Sequence, residues 1–396
     1  MRRRRSWANR AELALAALVV SATGGCESLV GISDVPPVTD ATADTAVPTE
    51  AGPGPDVVDA PSDADAGVEA DAPHSCGDTQ SSAVNCGSCG HACLGGSCVM
   101  GACQPIALLP VGAGASPFAL AQDDGYLYWT DHAFNGIMRT DKVLGGSSMV
   151  AGAGNSPTSI LASDGGLYWG NEENVSACDL SGCLGSASVL VSTYDAGVVS
   201  VAVDSNSVYW SEGNPALLRA SKTWDGGPRT GDILWQGDAS VGHVAADGQR
   251  VYFTASDGLM RVVDVDGGNE LDLGAPGAAA SFDVVLDDAG AYWSVSDPAQ
   301  GAIDRSPLSA PAATPLASGQ RSPASIASDG TTLYWIAGTS KANQTAIMAC
   351  AIASCTPKVV NTIAATTLSA IIVDDLAIYV VQPGASGGGG IWKIAK

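Results

Sequence analysis

Three side chains of this chain have the types needed for nucleophilic catalysis. Ser200, His243 and Asp283 follow one another at intervals of 43 and 40 residues, and serine, histidine and aspartate are the parts of a hydrolytic triad. A triad also needs an oxyanion hole, which a sequence does not show. The sequence contains no Walker-type phosphate loop and no HExxH zinc motif. Whether the three side chains can meet depends on the elements that carry them.

A repeat of 40 to 45 residues carries these side chains. Copies such as DGYLYWTD and DGTTLYWIA combine an Asp-Gly turn with a Tyr-Trp pair, and seven tyrosines recur at this position. A period of this length with strand-like content is that of a β-propeller, in which each repeat is one four-stranded blade. We expect the repeated aromatic residues to pack between blades. They are Tyr128, Trp129, Tyr168, Trp169, Tyr209, Trp210, Tyr252, Tyr292, Trp293, Tyr334, Trp335 and Tyr379.

The first copy, Tyr128-Trp129-Thr130-Asp131, spells the signature of the YWTD propellers. Residues 105–396 therefore resemble that family, of which the low-density-lipoprotein receptor is an example. The family has six blades, whereas this sequence has seven repeats, and only the first repeat carries all four letters. The resemblance implies a propeller architecture and does not imply receptor function.

The two ends of the repeat region predict how the ring closes. The chain ends in GIWKIAK, which matches the third strand GIMRTDK of the first repeat, so the seventh repeat lacks a fourth strand. Upstream, PVGAGASP matches VAGAGNSP at the end of the first repeat's fourth strand. The sequence therefore predicts an all-β fold over 105–396, a seven-bladed propeller of four-stranded antiparallel blades closed by a strand from residues 105–112.

The triad candidates occupy one position of the repeat, in the first strand of each blade. First strands line the central channel of a propeller, so we expect a polar ring there. Adjacent blades separate equivalent residues too widely for Ser200, His243 and Asp283 all to hydrogen-bond readily. Three roles stay open: inter-blade hydrogen bonding, contact with a ligand, and catalysis. The residues at this position are Ala119, Ser159, Ser200, His243, Asp283, Ser325 and Ala370.

The N-terminus predicts export and a lipid anchor. MRRRRSWANR is basic, AELALAALVVSATGG is small and apolar, and Cys26 follows at once. This arrangement resembles a bacterial lipoprotein signal, which implies a signal peptide over 1–25 and a lipidated, palmitate-bearing Cys26. Thr23 stands where such signals usually carry leucine, and a plain secretory signal with a later cut is the alternative.

A spacer and a cysteine-rich module follow the signal. Residues 26–75 are rich in Asp, Ala, Pro and Thr and predict a disordered tether; a calcium-binding acidic tract is the alternative. Six cysteines in residues 76–104 predict a disulfide module whose pairing stays open, with zinc binding that uses His91, or a Cys86–Cys89 redox pair, as alternatives. We also expect disulfides in the CDLSGC and CAIASC loops. The cysteines expected to form disulfides are Cys76, Cys86, Cys89, Cys93, Cys98, Cys103, Cys178, Cys183, Cys350 and Cys355.

Composition and organisation together favour a binding protein of the cell envelope. A net charge of −23 repels phosphate backbones, so no nucleic-acid partner is expected. We expect a monomeric lipoprotein, held at the outer membrane or cell surface only by its lipid, that binds protein or glycan without a cofactor or metal and without enzymatic activity. The alternative is a propeller lyase or hydrolase, metal-assisted or not, with a channel-mouth site around His243 and Asp283.

Overall fold

The computed structural model describes residues 77–180, 183, 187–193, 197–223, 230–274, 281–365, 367–384 and 388–396. The predicted signal peptide (1–25), its lipidation site Cys26, the tether (26–75) and Cys76 lie outside the described residues. All regular structure in the described part is β-strand. No helix there could span a lipid bilayer.

Seven antiparallel sheets of four strands follow one another along the chain, which confirms the predicted fold class. The first strands of neighbouring sheets contact one another around the whole ring, so they form its inner wall and each sheet is one blade. Blades one to three consist of β4 (Pro117–Gln122), β5 (Tyr126–Asp131), β6 (Gly136–Asp141) and β7 (Gly145–Gly152); β8 (Ser159–Ser163), β9 (Gly166–Gly170), β10 (Asn174–Asp179) and β11 (Ser188–Ser192); and β12 (Ser200–Val203), β13 (Ser207–Ser211), β14 (Ala216–Ser221) and β15 (Asp232–Gln236).

The remaining blades repeat the pattern, with one exception at the end of the ring. Blades four to six consist of β16 (Val241–Ala246), β17 (Arg250–Ala255), β18 (Met260–Asp264) and β19 (Leu271–Leu273); β20 (Ser281–Asp287), β21 (Gly290–Val295), β22 (Gly301–Ser306) and β23 (Thr314–Gln320); and β24 (Ile326–Ser328), β25 (Thr332–Gly338), β26 (Thr345–Ala351) and β27 (Lys358–Ile363). Blade seven has β28 (Ala370–Val373), β29 (Ala377–Gln382), β30 (Gly390–Ala395) and an N-terminal strand, β3 (Ile106–Leu109).

The N-terminal strand closes the ring as the sequence predicts. β3 pairs antiparallel with β30, with Ala107 opposite Trp392 and Leu109 opposite Ile391. Leu109 is buried in a cluster that joins blades seven and one. The pairing covers the backbone edge of β30, which would otherwise offer unpaired N–H and C=O groups to another chain.

The Tyr-Trp pairs form the contacts between blades because neighbouring residues of a strand point to opposite faces of the sheet. Tyr128 packs in one cluster with Trp169 of blade two, while Trp129 packs on the other side with Tyr379 of blade seven. The same alternation continues around the ring, with Phe253 and Val380 where the tryptophan is missing. Every repeated tyrosine and tryptophan is buried, so these residues are core rather than exposed stacking platforms.

In every blade except the second, an aspartate five residues before the tyrosine fixes the first turn. In blade one, Oδ1 of Asp123 accepts hydrogen bonds from the backbone N–H groups of Gly125 (2.9 Å) and Tyr126 (2.7 Å), and Oδ2 accepts one from the Tyr128 hydroxyl (2.7 Å). One side chain thus shapes the turn and satisfies the buried phenol. Equivalent Asp–Tyr bonds occur in all other blades except blade two, where Ser163 occupies the position.

The cysteine module folds onto the propeller. Its short strands are β1 (Cys98–Val99) and β2 (Ala102–Cys103), and disulfides join Cys86 to Cys98 and Cys93 to Cys103. These four cysteines pack around Ala395 at the end of β30. Nδ2 of Asn361 in blade six donates a hydrogen bond to the Cys103 carbonyl at 3.0 Å. Module and propeller belong to one compact unit.

Candidate functional site

The predicted polar ring is a set of hydrogen bonds that join neighbouring blades. Oγ of Ser159 accepts the backbone N–H of Val201 at 2.9 Å, and Oγ of Ser200 accepts that of Val244 at 3.1 Å. Each serine therefore bonds to the residue after the equivalent position in the next blade. Oγ of Ser325 stands at 3.4 Å from the N–H of Ile371 in the same arrangement. All three serines are buried, which agrees with an inter-blade structural role.

Blades four and five depart from this pattern, because histidine and aspartate replace serine. Nδ1 of His243 lies 2.8 Å from Oδ1 of Asp283, so two of the three triad candidates do touch. Ser200 does not complete the triad, since its hydroxyl is bonded to the backbone of Val244. The structure thus brings together His243 and Asp283 and leaves Ser200 one blade away.

Asp283 is held on all sides. Its Oδ1 accepts a hydrogen bond from the backbone N–H of the next residue, Val284, at 2.8 Å. Its Oδ2 accepts one from the Ser325 hydroxyl at 2.8 Å and one from the Ile326 N–H at 3.1 Å. A carboxylate this well bonded orients the imidazole but has no free oxygen for chemistry of its own. Asp283 therefore positions His243.

The two side chains perturb each other's titration. Burial alone would lower the pKa of His243, but the charge of Asp283 and the hydrogen bond to it raise that pKa above 6.5. Burial alone would raise the pKa of Asp283, but the charge and hydrogen bond of His243, with those of Ser325 and Ile326, hold it below 3.8. The pair is therefore an ion pair in weakly acidic solution.

His243 has one nitrogen that is available to a ligand. Nδ1–H donates to Asp283, because a carboxylate only accepts, so in the neutral ring Nε2 carries the lone pair. The side chain is 38% exposed, and no described residue forms a hydrogen bond with Nε2. Phe282 lies beside it, with its ring centroid 5.7 Å from that of the imidazole and with 44% of the residue exposed.

The propeller has two faces of different chemistry. The turn face carries the connections from first to second and from third to fourth strands, and each of its seven first turns contains aspartate. The loop face carries the other connections. Three of the chain's four phenylalanines lie there and are exposed by 38%, 54% and 44%. These are Phe118, Phe134 and Phe282, whereas Phe253 is buried.

The second histidine of the disc also lies on the loop face. His132 follows β5, its ring stacks on Phe118 with a centroid distance of 4.8 Å, and its Nε2 lies 3.0 Å from the Pro157 carbonyl. Because that nitrogen is already hydrogen-bonded, His132 offers less to a ligand than His243 does. The loop face thus presents two aromatic pairs, one in blade one and one between blades four and five.

Three lysines that the sequence analysis did not single out join blades across the turn face. Nζ of Lys142 in blade one lies 3.0 Å from Oδ2 of Asp374 in blade seven, and Nζ of Lys222 in blade three lies 3.1 Å from Oδ2 of Asp164 in blade two. Lys396 pairs with Asp329 of blade six in the same way. Each ammonium also lies over a repeat tyrosine at 5.1–5.4 Å. The signal was present, because TDK, ASK and IAK end the third strands of three repeats.

The nine cysteines in the described part of the chain form disulfides, as predicted. Besides the two bridges of the module, Cys178 is bonded to Cys183 and Cys350 to Cys355, and Cys89 is also disulfide-bonded. In the described part, the one cluster with metal-ligand spacing is Cys86, Cys93 and Cys103. Its sulfurs are engaged in disulfides, so they are not the thiolates that zinc requires. Disulfides are typical of an oxidising, extracytoplasmic environment.

Comparison with known proteins identifies the architecture and no relative. No family model matches the chain, and no curated protein matches it either. Among solved structures, the computationally designed protein Ika8 is similar with a TM-score of 0.52 and 13% identity, over 73% of this chain and 99% of the designed one. A structure of a nidogen/laminin complex matches with a TM-score of 0.45 and 15% identity, over 63% of this chain and 92% of the matched one. At these identities the likeness is one of fold alone.

Proposed function

We propose that this protein is an envelope-anchored bacterial lipoprotein whose propeller binds a protein or glycan through its loop face. The observation that carries the proposal is the distribution of exposed aromatic residues. Phe118, Phe134 and Phe282 are exposed on that face, although the repeat aromatics are buried. Exposed aromatic side chains are enriched where proteins recognise partners.

The position of the cysteine module also supports a partner site on the loop face. The module packs at the turn-face end of β30, next to Ala395, and β3 runs from there toward the loop face. In the proposed arrangement the lipid anchor at Cys26 and the tether lead to the turn-face side. The loop face then points away from the anchor and is open to a partner.

The binding proposal is tested by capture from solubilised envelope extract. The bait is the oxidised protein, compared with a triple variant Phe118→Ser, Phe134→Ser, Phe282→Ser. The control variant carries Val143→Ser, Leu144→Ser and Leu376→Ser on the turn face, where these residues are exposed by 83%, 87% and 65%. We expect a saturable partner that the loop-face variant loses and the turn-face variant keeps. Loss in the turn-face variant alone would contradict the proposal.

The anchor proposal is tested separately with Cys26→Ser. This change removes the thiol that lipidation requires, so the protein should move from the membrane fraction to the soluble fraction. Unchanged partitioning, with an intact propeller verified by protease resistance, would contradict lipid anchoring without bearing on the loop face.

One observation favours the enzymatic alternative as a second candidate. Asp283 orients His243 so that Nε2 holds a lone pair, which is the state of a general base. The burial of Asp283 and the engagement of Ser200 leave this imidazole without a neighbouring nucleophile among the described residues. A lyase and hydrolase panel, run with wild type and His243→Gln, tests the candidate directly.

A further inference from the structure

Asp283 accepts the N–H of Ile326 in the next blade, as the serines do elsewhere in the ring, but its contact with His243 is additional to that bond. At the same repeat position Ser159, Ser200 and Ser325 each connect two blades with a single hydroxyl. An imidazole and a carboxylate at this depth must both lose solvation, which costs free energy that serine does not. A functional site is expected where a repeat carries a residue type that differs from the one at the equivalent position of other repeats. The departure therefore points to a ligand.

The polar half of the site is fixed in position and in hydrogen-bond direction. Asp283 holds Nδ1–H of His243, and Ser325, Ile326 and Val284 hold Asp283. In the neutral ring Nε2 is consequently a preoriented acceptor, and it prefers a ligand with an O–H or N–H donor. Such a site loses little conformational freedom when a ligand binds.

The apolar half of the site is the ring of Phe282. Phe282 precedes Asp283 in β20, at the mouth of the channel, and its ring centroid is 5.7 Å from that of His243. A ligand that contacts both rings must therefore have an apolar face for Phe282 and, close to that face, a hydroxyl group for His243.

We propose that this channel mouth is a subsite for a neutral saccharide, which stacks a pyranose ring on Phe282 and donates one hydroxyl hydrogen to Nε2 of His243. A pyranose has a face of C–H groups and a rim of hydroxyls, which match the two halves of the site. The carboxylate of Asp283 and the net charge of −23 disfavour anionic sugars. The inference rests on the proposed function, because it names the ligand class of the same loop face.

The test uses the full oxidised chain on an array of neutral oligosaccharides built from glucose, galactose, mannose and N-acetylglucosamine. Affinity for each hit is then measured by calorimetry. We expect Phe282→Ala and His243→Phe each to weaken binding about tenfold or more, as for a central contact residue. Leu144→Ala, which replaces an exposed apolar residue of the turn face, is the control and should change affinity by about twofold or less.

The two variants protect the test against a folding artefact. Phe282 is 44% exposed, so its replacement should leave the fold intact even where His243→Phe disturbs Asp283. Binding that Phe282→Ala and Leu144→Ala weaken equally, or no saccharide bound at all, overturns the inference.

The outcome also separates the inference from the proposed function. A protein partner captured through the loop face, with no saccharide bound, overturns the saccharide and leaves the binding function standing. Neither a protein nor a saccharide bound through the loop face overturns both.

Discussion

At the residue scale, the ion pair between His243 and Asp283 makes stability depend on pH. The raised pKa of His243 means that its contribution is fully present below 6.5 and is lost as the pH rises through the higher folded-state value. The lowered pKa of Asp283 means that its contribution is present above 3.8 and is lost in stronger acid. The pair therefore stabilises the fold most between pH 3.8 and 6.5.

We predict that His243→Gln costs most stability at about pH 5 and progressively less as the pH approaches about 9. The measurement is the free energy of unfolding in urea at about pH 5, 7 and 9 for wild type and variant. His132→Gln is the control, since no described carboxylate pairs with that ring. A cost for His243→Gln that stays the same across this pH range would show that the pair is not ionised as described.

The buried repeat tyrosines that bond to turn aspartates should titrate at unusually high pH. Burial and the hydrogen bond to the turn aspartate raise the pKa of Tyr209, Tyr292 and Tyr334 to about 12. We predict that spectrophotometric titration to about pH 11 leaves these three tyrosines protonated in the folded protein. Ionisation of most of the nine tyrosines near the ordinary tyrosine pKa, with the fold retained, would contradict the hydrogen-bonded Asp–Tyr arrangement.

At the element scale, the lysines at the ends of third strands couple neighbouring blades. Lys142 is buried, and its Nζ reaches Asp374 across the junction of blades one and seven. Burial alone would raise the pKa of Asp374, but hydrogen bonds from Lys142 and the turn hold it below 3.8. If Lys142 is replaced by an uncharged residue, the partly buried carboxylate of Asp374 loses this charged partner.

We predict that Lys142→Met destabilises the protein by about 1–3 kcal/mol, since removal of one partner leaves the other charge without compensation. Lys341→Met is the control, because Lys341 is exposed and its side chain forms no ion pair among the described residues. Equal free energies of unfolding for the two variants would show that the coupling across this junction contributes nothing.

The elements also show which levels of structure the sequence determines. The period of Tyr128 and its equivalents predicts the strand pattern, the seven blades and the closing strand, because the same strand and turn residues recur in each of the seven repeats. The contact of His243 with Asp283 does not follow, because it depends on how far long side chains reach between blades rather than on the spacing of equivalent backbone positions. The hydroxyl of Ser200 accepts the backbone N–H of Val244 instead of bonding to the imidazole of His243.

At the scale of the whole molecule, the ring depends on a pairing between its two ends. β3 covers β30, and Leu109 is buried between blades seven and one. We predict that a chain starting at Pro110 has a lower melting temperature than one starting at Pro105 and self-associates through the open edge of β30. Both chains lack the cysteine module, so their difference isolates the strand.

The loss should amount to about 3 kcal/mol or more, from the burial of Leu109 and the strand's hydrogen bonds. Calorimetry and light scattering measure the two effects. Identical melting temperatures and monomeric behaviour for both chains would show that the ring is closed without β3.

The docking of the cysteine module has a mechanical consequence. A pulling force that enters from the N-terminal side reaches the module before it reaches β3, and the module is cross-linked by Cys86–Cys98 and Cys93–Cys103. Its contacts with Ala395 and Asn361 bear the load first. Only after they yield is β3 peeled from β30, one backbone pair at a time from Ile106. The module therefore protects the pairing of β3 with β30, which closes the ring, from a force applied at the N-terminal side.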